Sequence, residues 1–193
     1  MKTIALLVGF LVGAVFCGPV ACGQDAAPDA AVQKAKKKGG KKREKKEKKA
    51  KGEKPAKAEL SAVGKALKDV KFVGGKKVDT QATHYIYLVS ASWCGPCNAE
   101  MPKVVEQYKE MSKCGVELIL VSGDHNPSQA TGFMKKYGAD FPCAMGDTER
   151  KKLPGWEDNR SIPFAIIVDA EGNKLTSGNA APVINNWRQT TGK

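Results

Sequence analysis

A chain of 193 residues with a formal charge of +12 has room for one globular domain plus appendages. The charge is localised: residues 34–58 hold 14 Lys or Arg and three Glu, a net +11 that leaves +1 for everything else. The folded part is therefore close to neutral, which excludes overall basicity as a guide to what a site within it prefers.

The first 23 residues read as an export signal: Lys2 gives a positive start, Ile4 to Phe16 form an apolar stretch, and Ala21, Cys22 and Gly23 are small. The apolar stretch is shorter than the roughly 20 residues of a comfortable membrane span. Two processing patterns fit. One is cleavage by a general signal peptidase before Gln24; the other is a lipobox-like Pro19-Val20-Ala21-Cys22, in which Cys22 carries lipid. Residues 24–58 contain Val32 as their one large apolar side chain, so burial cannot offset ordering entropy. A disordered, charge-extended linker is expected there. It can act as a spacer, or adhere to an anionic envelope surface at about 1 kcal/mol per Lys. Nucleic acid is not an expected partner, because no aromatic residue interleaves the Lys run to stack on bases.

Residues 59–193 read as one domain. Leu60, Val63, Leu67 and Val70 fall at helical spacing. Phe72 to Val78 suggests a hairpin about Gly74-Gly75. His84 to Ser90 is a β-rich run leading directly to Trp93 and a Cys pair. From Cys97 onward Met101, Val104, Val105, Tyr108 and Met111 recur at helical spacing, and Val116 to Ser122 is a second buried-type strand. Ser128 can cap a helix with Ala130, Phe133, Met134 and Tyr137 on its apolar face, ended by Gly138. Phe141 to Met145 suits a short strand and Phe164 to Val168 a clear one; Lys174 to Ser177 should return antiparallel after the turn at Asp169 to Asn173. Pro182, Val183, Ile184 and Trp187 suggest a closing helix. Strands alternating with helices predict an α/β fold with a mixed central sheet and helices on both faces.

The chemistry centres on Cys94-Gly95-Pro96-Cys97, which follows a strand and opens a helix. Two Cys three apart at a helix start share one side of its first turn. Unpaired backbone N–H groups there favour a thiolate, so Cys94 is the expected attacking sulfur and Cys97 the resolving one. Gly95 avoids steric conflict and Pro96 pre-sets the helical φ. A zinc site would need two more ligands, and Cys114, Cys143, His84 and His125 form no second C-x-x-C or H-x-x-x-H unit. A purely structural disulfide is the other alternative. No P-x-x-x-T-x-x-C run of the peroxiredoxin kind is present.

The segment Ser90-Ala91-Ser92-Trp93-Cys94-Gly95-Pro96-Cys97-Asn98-Ala99-Glu100-Met101-Pro102 resembles the active-site segment of the TlpA/ResA-like branch of the thioredoxin superfamily. So does Ser161-Ile162-Pro163-Phe164-Ala165-Ile166-Ile167-Val168-Asp169. The resemblance implies a thioredoxin fold with an inserted strand–helix unit, export or membrane tethering, and disulfide exchange outside the cytoplasm. It also implies that the Ile162–Pro163 bond is cis and that Ile162 offers its backbone to an extended substrate. By the same resemblance Glu100 tunes the Cys pair and moves protons; physically, a nearby carboxylate raises a thiol pKa and can accept its proton. An ordinary first-turn Glu is the plain alternative. Leu88 fills the place of thioredoxin's buried Asp, and Pro102 leaves the carbonyl of Asn98 without its helical partner. Trp93 either shields the pair and meets substrate or packs in the core, and Trp156 either lines the groove or joins the core. Cys114 and Cys143 are candidates for a structural disulfide in an oxidising compartment, with two free buried thiols as the alternative.

The expected activity is reduction of disulfides in exported proteins, with the Cys94–Cys97 pair as the redox centre, no other cofactor, no metal, and an upstream dithiol donor. The Gly-Pro dipeptide matches reducing thioredoxins. A disulfide oxidase, or an envelope-tethered binding protein with a structural Cys pair, is the alternative.

Overall fold

The structure, a computed structural model, describes residues 59–158 and 161–193. The expected export signal, its Cys22 and the Lys-rich linker lie outside the described residues. The described residues open with a short helix α1 (Ala62–Ala66), capped by Ser61, whose Oγ accepts from the N–H of Gly64 at 3.1 Å, and continued by a 3-10 turn over Leu67–Asp69. Two residues, Phe72–Val73, form strand β1. The expected hairpin does not form here. Gly74 and Gly75 do make a turn with positive φ, yet β1 pairs antiparallel with β4 (Cys143–Met145) far along the chain, Phe72 opposite Ala144. A Gly-Gly turn is written locally, whereas the partner of a two-residue strand is chosen by the sheet edge that needs covering.

Strand β2 (His84–Ser90), helix α2 (Gly95–Lys113) and strand β3 (Val116–Ser122) make a parallel βαβ unit. The two strands run in register from His84↔Val116 to Ser90↔Ser122, so both end at one edge, and the N–H of Gly123 donates to the Ser90 carbonyl at 2.9 Å. Helix α3 (Pro127–Tyr137) is capped by Asn126 rather than the expected Ser128: the Asn126 side chain accepts from the N–H of Gln129 at 3.0 Å, and Pro127 takes the first helical position. Gly138 ends it in the left-handed conformation. Strand β4 is shorter than the Phe141–Met145 run suggested: the Pro142 carbonyl accepts from the N–H of Leu120 at 2.9 Å, but Pro142 has no N–H to give the ladder. A one-turn helix α4 (Asp147–Arg150) follows. Strands β5 (Phe164–Asp169) and β6 (Lys174–Asn179) form the antiparallel return, and the closing helix is two pieces, α5 (Ala180–Asn185) and α6 (Trp187–Thr191), meeting at Asn186.

The six strands of the described residues lie in the order β1-β4-β3-β2-β5-β6, with β2, β3 and β4 parallel and the rest antiparallel to their neighbours. This is a thioredoxin fold: strands β3-β2-β5-β6 with helices α2 and α5 carry it, and α3, β4 and α4 lie between β3 and β5 along the chain. Alternation along β2 and β3 divides the core. Ile86, Leu88, Leu118 and Leu120 pack with α2, α3, α5 and α6, while Tyr85, Tyr87, Ile119 and Val121 pack with α1, the 3-10 turn and Leu153. Each large side chain fully buried this way is worth about 1.5–3 kcal/mol, which fixes the strand ends that carry the Cys pair. Among the described residues no helix is long and apolar enough to cross a membrane.

Candidate functional site

Strand β2 stops at Ser90, and four residues later Cys94 caps α2 in an extended conformation. Cys94 and Cys97 are joined by a disulfide with their Cα atoms 5.2 Å apart. The N–H of Cys97 points at the Cys94 sulfur at 3.2 Å, so a positively polarised backbone group already faces the atom that would carry charge as a thiolate. Cys94 is 6% exposed and Cys97 2%, which makes Cys94 the more accessible sulfur. The Ile162–Pro163 bond is cis, and the Ile162 carbonyl oxygen lies 4.0 Å from Cys94 Sγ. Ala91, both cysteines and the side chain of Ile162 form a small apolar cluster of their own. The structure thus brings Cys94, Cys97, Ile162 and Pro163 together from two distant segments.

Trp93 is 61% exposed, so it is not a core side chain; it stands in solvent beside Cys94. Trp156 is a different case: it packs against the core face of Tyr85 and Tyr87, and its indole N–H donates to Asp158 Oδ1 at 3.1 Å. Glu100 is half-buried one turn beyond Cys97, with Oε2 removed from water and hydrogen-bonded to nothing among the described residues. Desolvation pushes its carboxyl above the ordinary range. Leu88, in the place of thioredoxin's buried Asp, is itself buried.

The Cys114–Cys143 bridge is corrected by the structure: Cys143 is a free, buried thiol. Strand β4 enters the sheet with Cys143 opposite Leu120, midway along β3, while Cys114 caps α2 before β3 starts at Val116. Four residues of strand separate those levels, about 13 Å, well beyond the ~7 Å Cα limit for a disulfide. Burial pushes the Cys143 thiol up to about 12, leaving it protonated and unreactive near neutrality. Among the described residues, no three His, Cys, Asp or Glu side chains converge to hold a metal ion.

Two polar residues that sequence reasoning passed over hold the loop before the pair. Asp124, buried just past β3, accepts from the N–H of Ser92 at 2.9 Å, from Ser92 Oγ at 2.7 Å and from Ser122 Oγ at 2.9 Å. Asn98 donates from Nδ2 to the carbonyls of Ser92 and Cys94, both at 2.8 Å. Asn98 stood inside the recognised motif without an assigned task. Asp124 gave no signal, because its meeting with Ser92 depends on the β2–β3 register.

Residues 62–185 match the family described as Redoxin. Thiol-disulfide oxidoreductase ResA of Bacillus subtilis (strain 168) is 35% identical over 89 residues, which cover 45% of this chain and 49% of that protein. The chain therefore spans about half the length of that relative. Probable nucleoredoxin 1 of Arabidopsis thaliana is 36% identical over 100 residues, 51% of this chain and 17% of that one. Among solved structures, a thiol:disulfide interchange protein from Bacteroides sp. shares the fold with a TM-score of 0.50 at 13% identity, covering 64% of this chain and 88% of the other.

Proposed function

This chain belongs to the Redoxin family, as a TlpA/ResA-like member of the thioredoxin superfamily, and from that premise we propose that it is a thiol–disulfide oxidoreductase working through Cys94 and Cys97. The observation that carries the reading is the Cys94–Cys97 disulfide at a helix start, packed against the cis Ile162–Pro163 bond with the exposed Trp93 alongside. The apolar cluster around the pair, with Cys94 the more accessible of the two sulfurs, suits attack on an extended peptide.

In the reducing direction, the Cys94 thiolate attacks one sulfur of a substrate disulfide. A mixed disulfide forms and the substrate's second sulfur leaves as a thiolate. Cys97 then loses its proton and attacks Cys94 Sγ, which re-forms the Cys94–Cys97 disulfide and releases the substrate as a dithiol. Two electrons pass to the substrate, and an upstream dithiol donor returns them. Glu100, with its raised carboxyl one turn from Cys97, is the proposed acceptor of the Cys97 proton. Ile162 and Pro163 offer backbone to the substrate, and Trp93 covers the mixed disulfide. The two sulfurs carry the electrons without a dissociable cofactor.

The Gly95-Pro96 dipeptide favours the reductase direction, and the name of the Bacillus relative agrees with oxidoreductase chemistry. The substrates are disulfide-containing exported proteins, apocytochrome c among the candidates. The apolar N-terminal stretch supports export to the outer face of a bacterial membrane, and Cys22 supplies a lipid site there. The 24–58 segment serves as a charged tether that adheres to an anionic envelope surface. The test is turnover of insulin disulfides by the full chain with a dithiol donor, together with its reduction potential. Turnover with a potential near about −270 mV makes it a reductase, one near about −120 mV makes it an oxidant, and no exchange at all refutes the reading.

A further inference from the structure

Asn98 uses every hydrogen-bonding position of its side chain. Nδ2 donates to the carbonyls of Ser92 and Cys94, both at 2.8 Å, while Oδ1 accepts from Tyr137 Oη at 2.8 Å and Lys136 Nζ at 3.1 Å. The amide can sit only one way round. Flipped, it would set N–H groups against an ammonium and an oxygen against two carbonyls. The Cys94 carbonyl accepts twice from this residue, from Nδ2 and from the Asn98 backbone N–H at 3.0 Å. Ser92 is gripped from the other side, since its N–H and hydroxyl both donate to Asp124. The loop that presents Cys94 is therefore held between the end of β3 and the last turn of α3.

The arrangement has a direction. The ammonium of Lys136 lies on the oxygen of the amide, and the positive, N–H end of the amide points at the Cys94 backbone. In the disulfide the Cys94 sulfur carries no charge. When two glutathione molecules reduce the pair, they leave as one glutathione disulfide, and Cys94 can then shed its proton to solvent as a thiolate. Charge and dipole alike then favour the reduced form over the oxidised one. Resting on the oxidoreductase reading above, we propose that Asn98 is a positioning residue that couples α3 to the redox pair, and that Lys136, acting through its amide, shifts the pair toward the thiolate form.

The test uses the full chain with Asn98→Asp, Lys136→Met and Tyr137→Phe. Two quantities are read: the glutathione equilibrium of the Cys94–Cys97 pair, and the pH profile of Cys94 alkylation by iodoacetamide, followed by mass spectrometry of its peptide. Asn98→Asp removes both donors and adds a negative charge. It should move the equilibrium about tenfold toward the disulfide, ~30 mV, and displace the alkylation profile to higher pH. Lys136→Met, which keeps the stem and loses an exposed charge, should shift both in the same direction by about threefold, an effect that weakens in high salt. Tyr137→Phe disturbs the fold least and should give a smaller shift of the same sign. Profiles and equilibria that stay at wild-type values in all three variants, whatever happens to thermal stability, would overturn the proposal and leave Asn98 a structural residue. Wild-type protein that fails to turn over insulin would sink the oxidoreductase reading instead, and the alkylation profile would still decide the role of Asn98.

Discussion

Glu117 offers a quantitative test of how the sheet tolerates a buried charge. It lies near the start of β3, 5% exposed, and its two oxygens accept from Tyr108 Oη at 3.0 Å and from the N–H of Asp79 at 3.2 Å. Burial pushes the carboxyl up to about 7; the two hydrogen bonds oppose that rise and the neighbouring Asp79 charge adds to it. The folded protein therefore holds this proton more tightly than the unfolded chain, where the ordinary value is 4.5. Below that value both states are protonated and the ionisation penalty is absent. It grows as pH rises and is complete above about 7, so this group's contribution to stability falls over that window. At full value the shift is worth ~3 kcal/mol. β4 meets β3 only from Leu120 onward, so among the described residues no strand covers the edge beside Glu117. With water screening part of the interaction there, ~2 kcal/mol is expected. Glu117→Gln removes the charge and keeps one acceptor for the Asp79 N–H, while its amide can donate to the Tyr108 oxygen. Urea unfolding at pH 5 and pH 8 should show the variant gaining that ~2 kcal/mol on wild type between the two conditions. A wild-type-to-variant difference that is the same at both pH values would refute the reasoning.

Three further outcomes are expected. Cys97→Ser should accumulate mixed disulfides through Cys94 when incubated with disulfide-containing exported proteins, visible on non-reducing gels, whereas Cys94→Ser should trap far less, its remaining thiol being the more buried. Glu100→Gln should leave the fold intact but flatten the low-pH limb of the exchange rate, with a loss on the order of tenfold in the resolving step; an unchanged pH–rate profile would assign Glu100 a structural role only. Gly155→Ala should lower stability by more than about 1 kcal/mol in urea, because φ is +74° there and a Cβ would lie 2.7 Å from the Gly172 carbonyl oxygen; wild-type stability would show that the 153–156 turn can shift away.

Strands β2 and β3 have the bounds the sequence suggested, because short runs of large apolar residues, interrupted in β3 by Glu117 alone and buried on both faces, are hard to read otherwise. The Cys94–Cys97 pair was legible because a C-x-x-C between a strand and a helix is a local signal, whereas the cis Ile162–Pro163 bond was implied by the resemblance to the thioredoxin superfamily and not by the dipeptide itself. What escaped depended on contacts between distant segments. The pairing of β1 with β4 is not encoded in Phe72-Val73, and the candidate bridge between Cys114 and Cys143 is not made because β4 joins β3 midway rather than at its start. Helix α4 and the 151–157 loop show no hydrophobic period; they are held by bonds such as Tyr87 Oη to the Pro154 carbonyl at 3.0 Å. Asn98 and Asp124 are ordinary polar residues in a sequence, and only the register of β2 with β3 reveals what they hold.

That register also separates the loop of the redox pair from the buried charge at the other end of β3. Asp124 and Glu117 are both buried carboxylates belonging to β3 or its end, but they serve opposite ends of the strand. Asp124 takes donors from the loop that presents Cys94, whereas Glu117 takes donors from α2 and from the segment before β2. Ser122 stands five residues along the strand from Glu117, about 16 Å away, roughly twice the 8 Å Debye length at physiological salt. Charge at Glu117 should therefore alter stability without moving the glutathione equilibrium of the Cys pair. Charge at Asn98 or Lys136 should move that equilibrium wherever stability goes. If Glu117→Gln shifted the redox equilibrium by even threefold, the two ends would be coupled through the sheet itself, and the local account of the redox pair given by Asn98, Lys136 and the start of α2 would be insufficient.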